Sequence, residues 1–346
     1  NDWLDRLHKA AYSDKKIATV TPFTNNATIC SFPMLCEENE LYPNTNLTEL
    51  DNYFATINRH KTIEIPSGVG FCLYIKRECL NQIGVLDKVN FPRGYGEEND
   101  LCLRAVKHGW TNVLAGDVFV FHKGSVSFGK EKQKLLERAM RVLAELYPNY
   151  HPSVGTHIRQ NPAKYLRLAI EMALIANSTK PSILFVTHNH GGGTEKHVKE
   201  LAQLLSCDAN ILIMRSTYSK DKVSIAFNPH EKADKLLLKI PKQIGSLHEL
   251  LKLYGVSHIH FHHLAGHCNS IVNLPSELNL TYDLSLHDYC LLLGKPKLTS
   301  DEELNSTKAI KTQKHNQSFI ENAGRIFSPS QATKHIFNKC FPHKNI

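Results

Sequence analysis

The sequence predicts an α/β protein of two domains, the second a doubly wound sheet of parallel strands. Three observations carry this. The chain has 346 residues, which suits about two domains. From 181 onward, short apolar runs of strand length alternate with longer amphipathic stretches of helix length. Residues 1–129 form a separate compositional block with its own strand and helix candidates.

In the first block, Trp3-Leu4-Asp5-Arg6-Leu7 begins a short amphipathic helix, and 17–20 is a strand that runs into Pro22. Residues 37–48 are a polar, turn-rich loop. Residues 64–75 read as a turn hinged on Gly68 and Gly70 that enters a strand. A helix over 77–83 stops near Gly84. Gly94-Tyr95-Gly96 is a turn, and Glu97, Glu98 and Asp100 fall in the first turn of the helix behind it, with Arg104 as a counter-ion. Val118-Phe119-Val120-Phe121 is a β run ending in His122. Residues 130–180 are expected to be a helical linker, broken around Pro148 and Pro152. In its last piece Lys164, Arg167 and Glu171 share one face; this is a helix packed between domains or one lying on a membrane surface. In the second block, residues 181–346, strands are expected at 183–186, 211–214, 258–262, 282–286 and 325–328. Helices are expected up to about 205, over 246–254 and from 331.

Glu97, Glu98 and Asp100 are the candidate catalytic residues. Carboxylates this close raise one another's pKa, one route to a general base that works near neutral pH. Acids also favour helix N-termini simply for the macrodipole, so the cluster is equally open to a structural account. His122 at a strand end is a candidate metal ligand or a structural histidine.

In the second block, ligands of a parallel sheet belong at the carboxyl ends of its strands. Gly191, Gly192 and Gly193 follow the first strand and open a helix. Their amides can face an anionic cofactor group, or the run is a plain flexible turn. The Gly-x-Gly-x-x-Gly of a dinucleotide site is absent there, which argues against a dehydrogenase. His258, His260 and His262 alternate and share a face, but their near-collinear spacing suits hydrogen bonding better than zinc. His263, and His287 beside Asp288, are suited to polar recognition, to acid/base work or to capping the next segment.

The net charge of +8 is mildly basic. It fits an anionic ligand or an anionic membrane surface and is too diffuse to argue for nucleic acid. Nine cysteines without a Cys-x-x-Cys pair argue against a disulfide framework and a cysteine zinc site, and favour a reducing, cytoplasmic location. No apolar run reaches the roughly 18 residues of a membrane span.

At this point two stretches resemble known families. Pro66-Ser67-Gly68-Val69-Gly70-Phe71, Ile83-Gly84-Val85-Leu86-Asp87, the run from Gly94 to Arg104, and His122 with Ser125 and Ser127 resemble the C-terminal half of family 2 glycosyltransferases. These are inverting enzymes of the GT-A fold, here of the type that builds O-antigen, rhamnan and other surface polysaccharides. The resemblance implies that Glu98 is the catalytic base, with Glu97 the competing candidate, and that Asp100 matches the next acid of the pattern. It implies that His122 helps hold Mg2+ or Mn2+, and that Gly70 and Tyr95 lie on the acceptor side. The family's Asp-x-Asp would fall just before Trp3.

Thr187-His188-Asn189-His190-Gly191-Gly192-Gly193-Thr194-Glu195-Lys196-His197, His262-His263, His287-Asp288-Tyr289 and Phe327-Ser328-Pro329-Ser330 resemble the N-terminal, Rossmann-like domain of family 4 glycosyltransferases, which are GT-B and usually retaining. That resemblance implies acceptor binding by His263, His287 and Asp288, and a donor domain following Ile346. The chain is thus expected to be an internal piece of a multi-module glycosyltransferase. Its implied partners are a nucleotide-sugar donor and a glycan or lipid-linked glycan acceptor, with peripheral contact with the cytoplasmic membrane. The alternative is a non-catalytic glycan- or nucleotide-binding piece without complete donor sites.

Overall fold

Every residue of Ile17–Phe23 is buried, which requires a strand paired on both edges and covered on both faces. The computed structural model describes residues 2–42, 45–92, 95–123, 131–219, 221–344 and 346, so Gly94, Ser125 and Ser127 lie outside the described residues. The chain divides into two units, Asn1–Leu174 and Ile175–Ile346.

The first unit runs α1 (Trp3–Ala11), β1 (Ile17–Phe23), α2 (Leu47–Ile57), β2 (Thr62–Ile65), β3 (Tyr74–Ile75), α3 (Arg77–Ile83), α4 (Glu97–Lys107), β4 (Thr111–Phe119), α5 (Glu131–Leu146), α6 (Tyr150–Gln160) and α7 (Lys164–Ala176), the last crossing the unit boundary. Its sheet has the order β2-β4-β1-β3. The central pair β1 and β4 is parallel, with Val20 opposite Val113, and both outer strands are antiparallel. The expected turn at 64–75 is a loop between two strands, and the β run expected at 118–121 is the end of a longer one. Gly84 takes φ +82 and ends α3.

The segment expected as a linker is mostly helical, and its helices pack on the first unit. Leu166, Ile170 and Leu174 join Phe23, Phe54, Leu114 and Phe119 in one apolar cluster. Leu143 and Tyr147 close over Phe91 in another. Amphipathic periodicity says that a face will be buried but not against what. On α7, Arg167 and Glu171 are both buried.

The second unit runs β5 (Ser182–Thr187), α8 (Gly192–Leu205), β6 (Asn210–Ser216), β7 (Lys222–Ala226), β8 (Lys235–Lys239), α9 (Ile244–Leu253), β9 (Val256–Phe261), α10 (Asn269–Val272), α11 (Leu274–Leu278), β10 (Thr281–Ser285), α12 (Cys290–Leu293), α13 (Thr307–Glu321), β11 (Ile326–Phe327) and α14 (Gln331–Cys340). Its seven strands have the order β11-β10-β9-β5-β6-β7-β8. They are parallel from β11 to β6, as expected for an α/β sheet. Two antiparallel strands, β7 and β8, extend one edge and were not expected. Lys235 and Lys239 flank the outermost one, a common way to keep an edge from pairing further. Among the described residues, no helix is long and apolar enough to cross a membrane.

Candidate functional site

In the first unit the acid cluster is delivered by a strained turn. Tyr95 has φ +64 and Gly96 has φ +101, two left-handed residues in succession. A Cβ at Gly96 would stand 2.9 Å from the Phe91 ring, so sterics as well as φ demand glycine. Glu97 and Glu98 are then the first residues of α4, where unpaired backbone N–H groups favour negative charge.

Burial pushes the Glu98 carboxyl above the ordinary carboxylate range, and neighbouring Glu97 adds to that. Backbone hydrogen bonds at Glu98, Gly96 and Gly70 pull the other way. Gly70 lies against this carboxyl: a Cβ built there would meet Glu98 Cδ at 3.4 Å. The next residue, Phe71, stacks on the His122 ring with centroids 5.2 Å apart. Gly70 and Phe71 therefore connect the acid cluster to the histidine. Glu97 Oε2 is buried without a hydrogen-bond partner among the described residues.

His122 is held at both ends. Its backbone N–H donates to Asn25 Oδ1 at 2.7 Å, and its Nδ1 lies 2.9 Å from the Asn26 carbonyl. A carbonyl only accepts, so Nδ1 carries a proton, and the neutral tautomer with that hydrogen bond has its lone pair on Nε2. That tautomer is the one a metal ligand needs. Among the described residues of this unit, however, no three His, Cys, Asp or Glu side chains come close enough to share one ion.

Asp100 is placed differently from the other acids. It is 2% exposed and is fully engaged by protein: Arg104 Nε donates to one oxygen at 2.8 Å and Tyr147 OH to the other at 2.6 Å. Its geometry ties α4 to α5 and the chain just beyond it. Asp100→Asn is therefore expected to cost about 1.5–3 kcal/mol through its hydrogen bonds to charged groups. A urea midpoint checks this; unchanged stability with lost activity would place Asp100 in the chemistry instead. Asn99, next to it, accepts from Ser67 Oγ at 2.9 Å and Tyr150 OH at 2.6 Å. Tyr95 packs on the cluster around Phe91 and Leu143. Sequence reasoning missed Tyr147 and Tyr150, because they lie in the segment assigned to a linker.

In the second unit, β5 is flanked by β6 on one side and by β9 on the other, so the chain reverses direction of winding at β5 and β9. The carboxyl ends of such strands open a crevice. His188 follows β5, His262 and His263 follow β9, and His287 and Asp288 follow β10 shortly after its end. A cleft of about 270 Å³ there is lined by His262, His263, Leu286, His287, Asp288 and Asn316, among others. His263 Nδ1 accepts the Ala265 N–H at 2.9 Å, so its Nε2 donates to Asp288 Oδ2 at 3.0 Å. Although burial opposes it, the His263 bond and the Cys290 amide hold Asp288 below the usual carboxylate range. Burial pushes His260 and His287 down to about 4 and His262 well below its ordinary value, so these rings are neutral at pH 7.

The three alternating histidines, His258 and His260 in β9 and His262 just after it, part company. His258 Nδ1 pairs with Thr281 Oγ1 at 2.9 Å and His260 Nε2 with Ser285 Oγ at 2.8 Å. Both are committed to the neighbouring strand. His262 instead stacks on His260, with centroids 4.2 Å apart. Gly191, Gly192 and Gly193 meet no atom within 4 Å of a built Cβ, so the run is not crowded by its neighbours. Glu195 in that turn is held by Arg215 at 2.9 Å.

Compared with protein-family models, with curated proteins and with solved structures, the chain matches none.

Proposed function

We propose that the chain is part of a nucleotide-sugar glycosyltransferase that extends a surface polysaccharide or lipopolysaccharide. In this reading the first unit is the C-terminal half of a GT-A module and the second the acceptor-side domain of a GT-B module. One observation carries it: a desolvated Glu98 sits at a helix start against Gly70, which Phe71 connects to a histidine whose Nδ1 is tied to a backbone carbonyl.

Glu98 takes the proton of an acceptor hydroxyl. The freed oxygen bonds to the anomeric carbon of the donor sugar while the bond from that carbon to the diphosphate oxygen breaks. The nucleoside diphosphate leaves with that electron pair, and the anomeric centre inverts. Gly70, lacking a side chain, leaves room for the hydroxyl beside the carboxylate. Bound Mg2+ or Mn2+ would be met on the protein side by His122 Nε2 and would stabilise charge on the leaving diphosphate. Asp288, oriented by the His263 N–H, lines the cleft of the second unit as an acceptor for a glycan hydroxyl. The cytoplasmic location and contact with the membrane surface belong to the same proposal.

A panel of UDP-, GDP- and dTDP-sugars, incubated with the full-length protein, Mn2+ and bacterial surface glycans, tests it. At least one donor is expected to release nucleoside diphosphate only when acceptor is present. A second reading, glycan binding without transfer, rests on the cleft of the second unit, where His262, His263, His287, Asp288 and Asn316 stand among mainly apolar side chains. Calorimetric glycan binding with no acceptor-dependent release from any donor would replace the first reading with the second.

A further inference from the structure

Three imidazoles of the second unit converge from three different elements. His197 comes from α8, His262 from the end of β9 and His287 from beyond β10. Their ring centroids are 5.4, 5.0 and 5.9 Å apart, for the pairs 197–262, 197–287 and 262–287. One nitrogen from each lies within 4.8 Å of the others. Three imidazoles on one tetrahedral Zn2+, with Zn–N of about 2.0–2.1 Å, place their centroids roughly 5 Å apart. The observed triangle is close to that before any ion draws it in.

The second observation is independent of spacing. His262 is 2% exposed, yet neither its Nδ1 nor its Nε2 has a hydrogen-bond partner among the described residues. His287 Nε2 is buried and unpartnered in the same way. Buried polar atoms are normally paired, and neighbouring His260 and His263 are: His260 bonds Ser285 and His263 bonds Asp288. Both nitrogens of His262 and one of His287 are thus left without a partner among the described residues.

We propose that His197, His262 and His287 form a Zn2+ site. The all-nitrogen donor set selects a borderline transition ion over Mg2+ or Ca2+, which take oxygen. The ligands come from a helix and two strand ends, so they avoid the collinear geometry that disqualifies three alternating histidines of one strand. His197 is on the exposed side, so the fourth position is open to water or ligand. His262 and His287 also line the 270 Å³ cleft, and a bound ion would border it. The site stands independently of the transferase proposal.

The test measures Zn2+ binding by the full-length protein after chelator treatment, by competition with a chromogenic zinc chelator and by metal analysis. Wild type is expected to hold Zn2+ with an affinity that His197→Ala lowers by more than about 100-fold, beyond the loss of an outer-shell partner. His197 is exposed, so this variant keeps its fold where His262→Ala risks losing it; circular dichroism checks that. His315→Ala, an exposed histidine of α13, is expected to bind as wild type does. Bound Co2+ is expected to show tetrahedral visible absorption that disappears in His197→Ala. Absence of competitive Zn2+ binding by wild type would overturn the site. So would equal affinity in His197→Ala. Loss of binding in Cys290→Ser but not in His197→Ala would overturn it as well, moving the ion to His263, Asp288 and Cys290.

Discussion

Glu98→Gln is expected to lower sugar transfer by about 10²–10⁴-fold, the range that a positioned general base contributes. The donor KM should stay within a few-fold, because the amide keeps the shape of the side chain and removes only its basicity. Stability should move the other way or not at all. Burial raises the folded pKa of Glu98 above its unfolded value. Its contribution to stability is therefore full below the unfolded pKa and is lost as pH rises through the folded one. Above the folded pKa the ionised carboxylate is a burden on the fold, so there the glutamine variant should melt at the same temperature or higher. The same shift moves the acidic limb of kcat/KM in wild type above the ordinary carboxylate range, since the base works only when deprotonated. Undiminished turnover in Glu98→Gln would sink the assignment. A loss of turnover that tracks unfolding in the melting curve would sink it too.

Glu97, Glu98 and Asp100 illustrate what was legible in the sequence. Gly96 ahead of them and the apolar Leu101 and Ala105 behind them announce a helix start, and α4 begins there. Residue types alone do not separate the three acids. Asp100 is distinguished by Tyr147, 47 residues away, and by Arg104 on its own helix. Glu98 is distinguished by Gly70 across a loop. Such separations come from packing, which local pattern does not encode. The second unit shows the same division. Its parallel strands were readable from apolar runs between helices, but β7 is a five-residue alternation and β8 three leucines between two lysines, both too short to be seen. The histidines after β9 and β10 were visible as strand ends. His197 was named only within the stretch that resembles family 4, and nothing in local pattern placed it beside them until the fold brought it there.

Arg6→Met is expected to destabilise the first unit by about 3–5 kcal/mol, the range for leaving one partner of a buried ion pair without the other. Arg6 is 6% exposed and Asp51 is 3% exposed. Arg6 Nη2 pairs with Asp51 Oδ2, and its Nη1 donates to the Asp117 carbonyl. The other Asp51 oxygen accepts the Phe119 N–H at 3.0 Å. One guanidinium thus joins α1 to α2 and to the last residues of β4. With Arg6 gone, Asp51 keeps only a single backbone donor in a dry interior. Since a whole domain is stable by about 5–15 kcal/mol, this one change removes a large share. Urea titration reads it as a lowered midpoint with an unchanged slope. The double variant Arg6→Met with Asp51→Leu should recover much of the loss, because it removes both charges and fills the space with apolar atoms. Single variants that each lose under about 1 kcal/mol would show the pair to be worth no more than one at the surface. The consequence reaches the candidate site. Val120 hydrogen-bonds back to Phe23 directly after the Asp51 contact, and His122 follows two residues later. The pair that holds the end of β4 therefore also sets where the His122 ring meets Phe71.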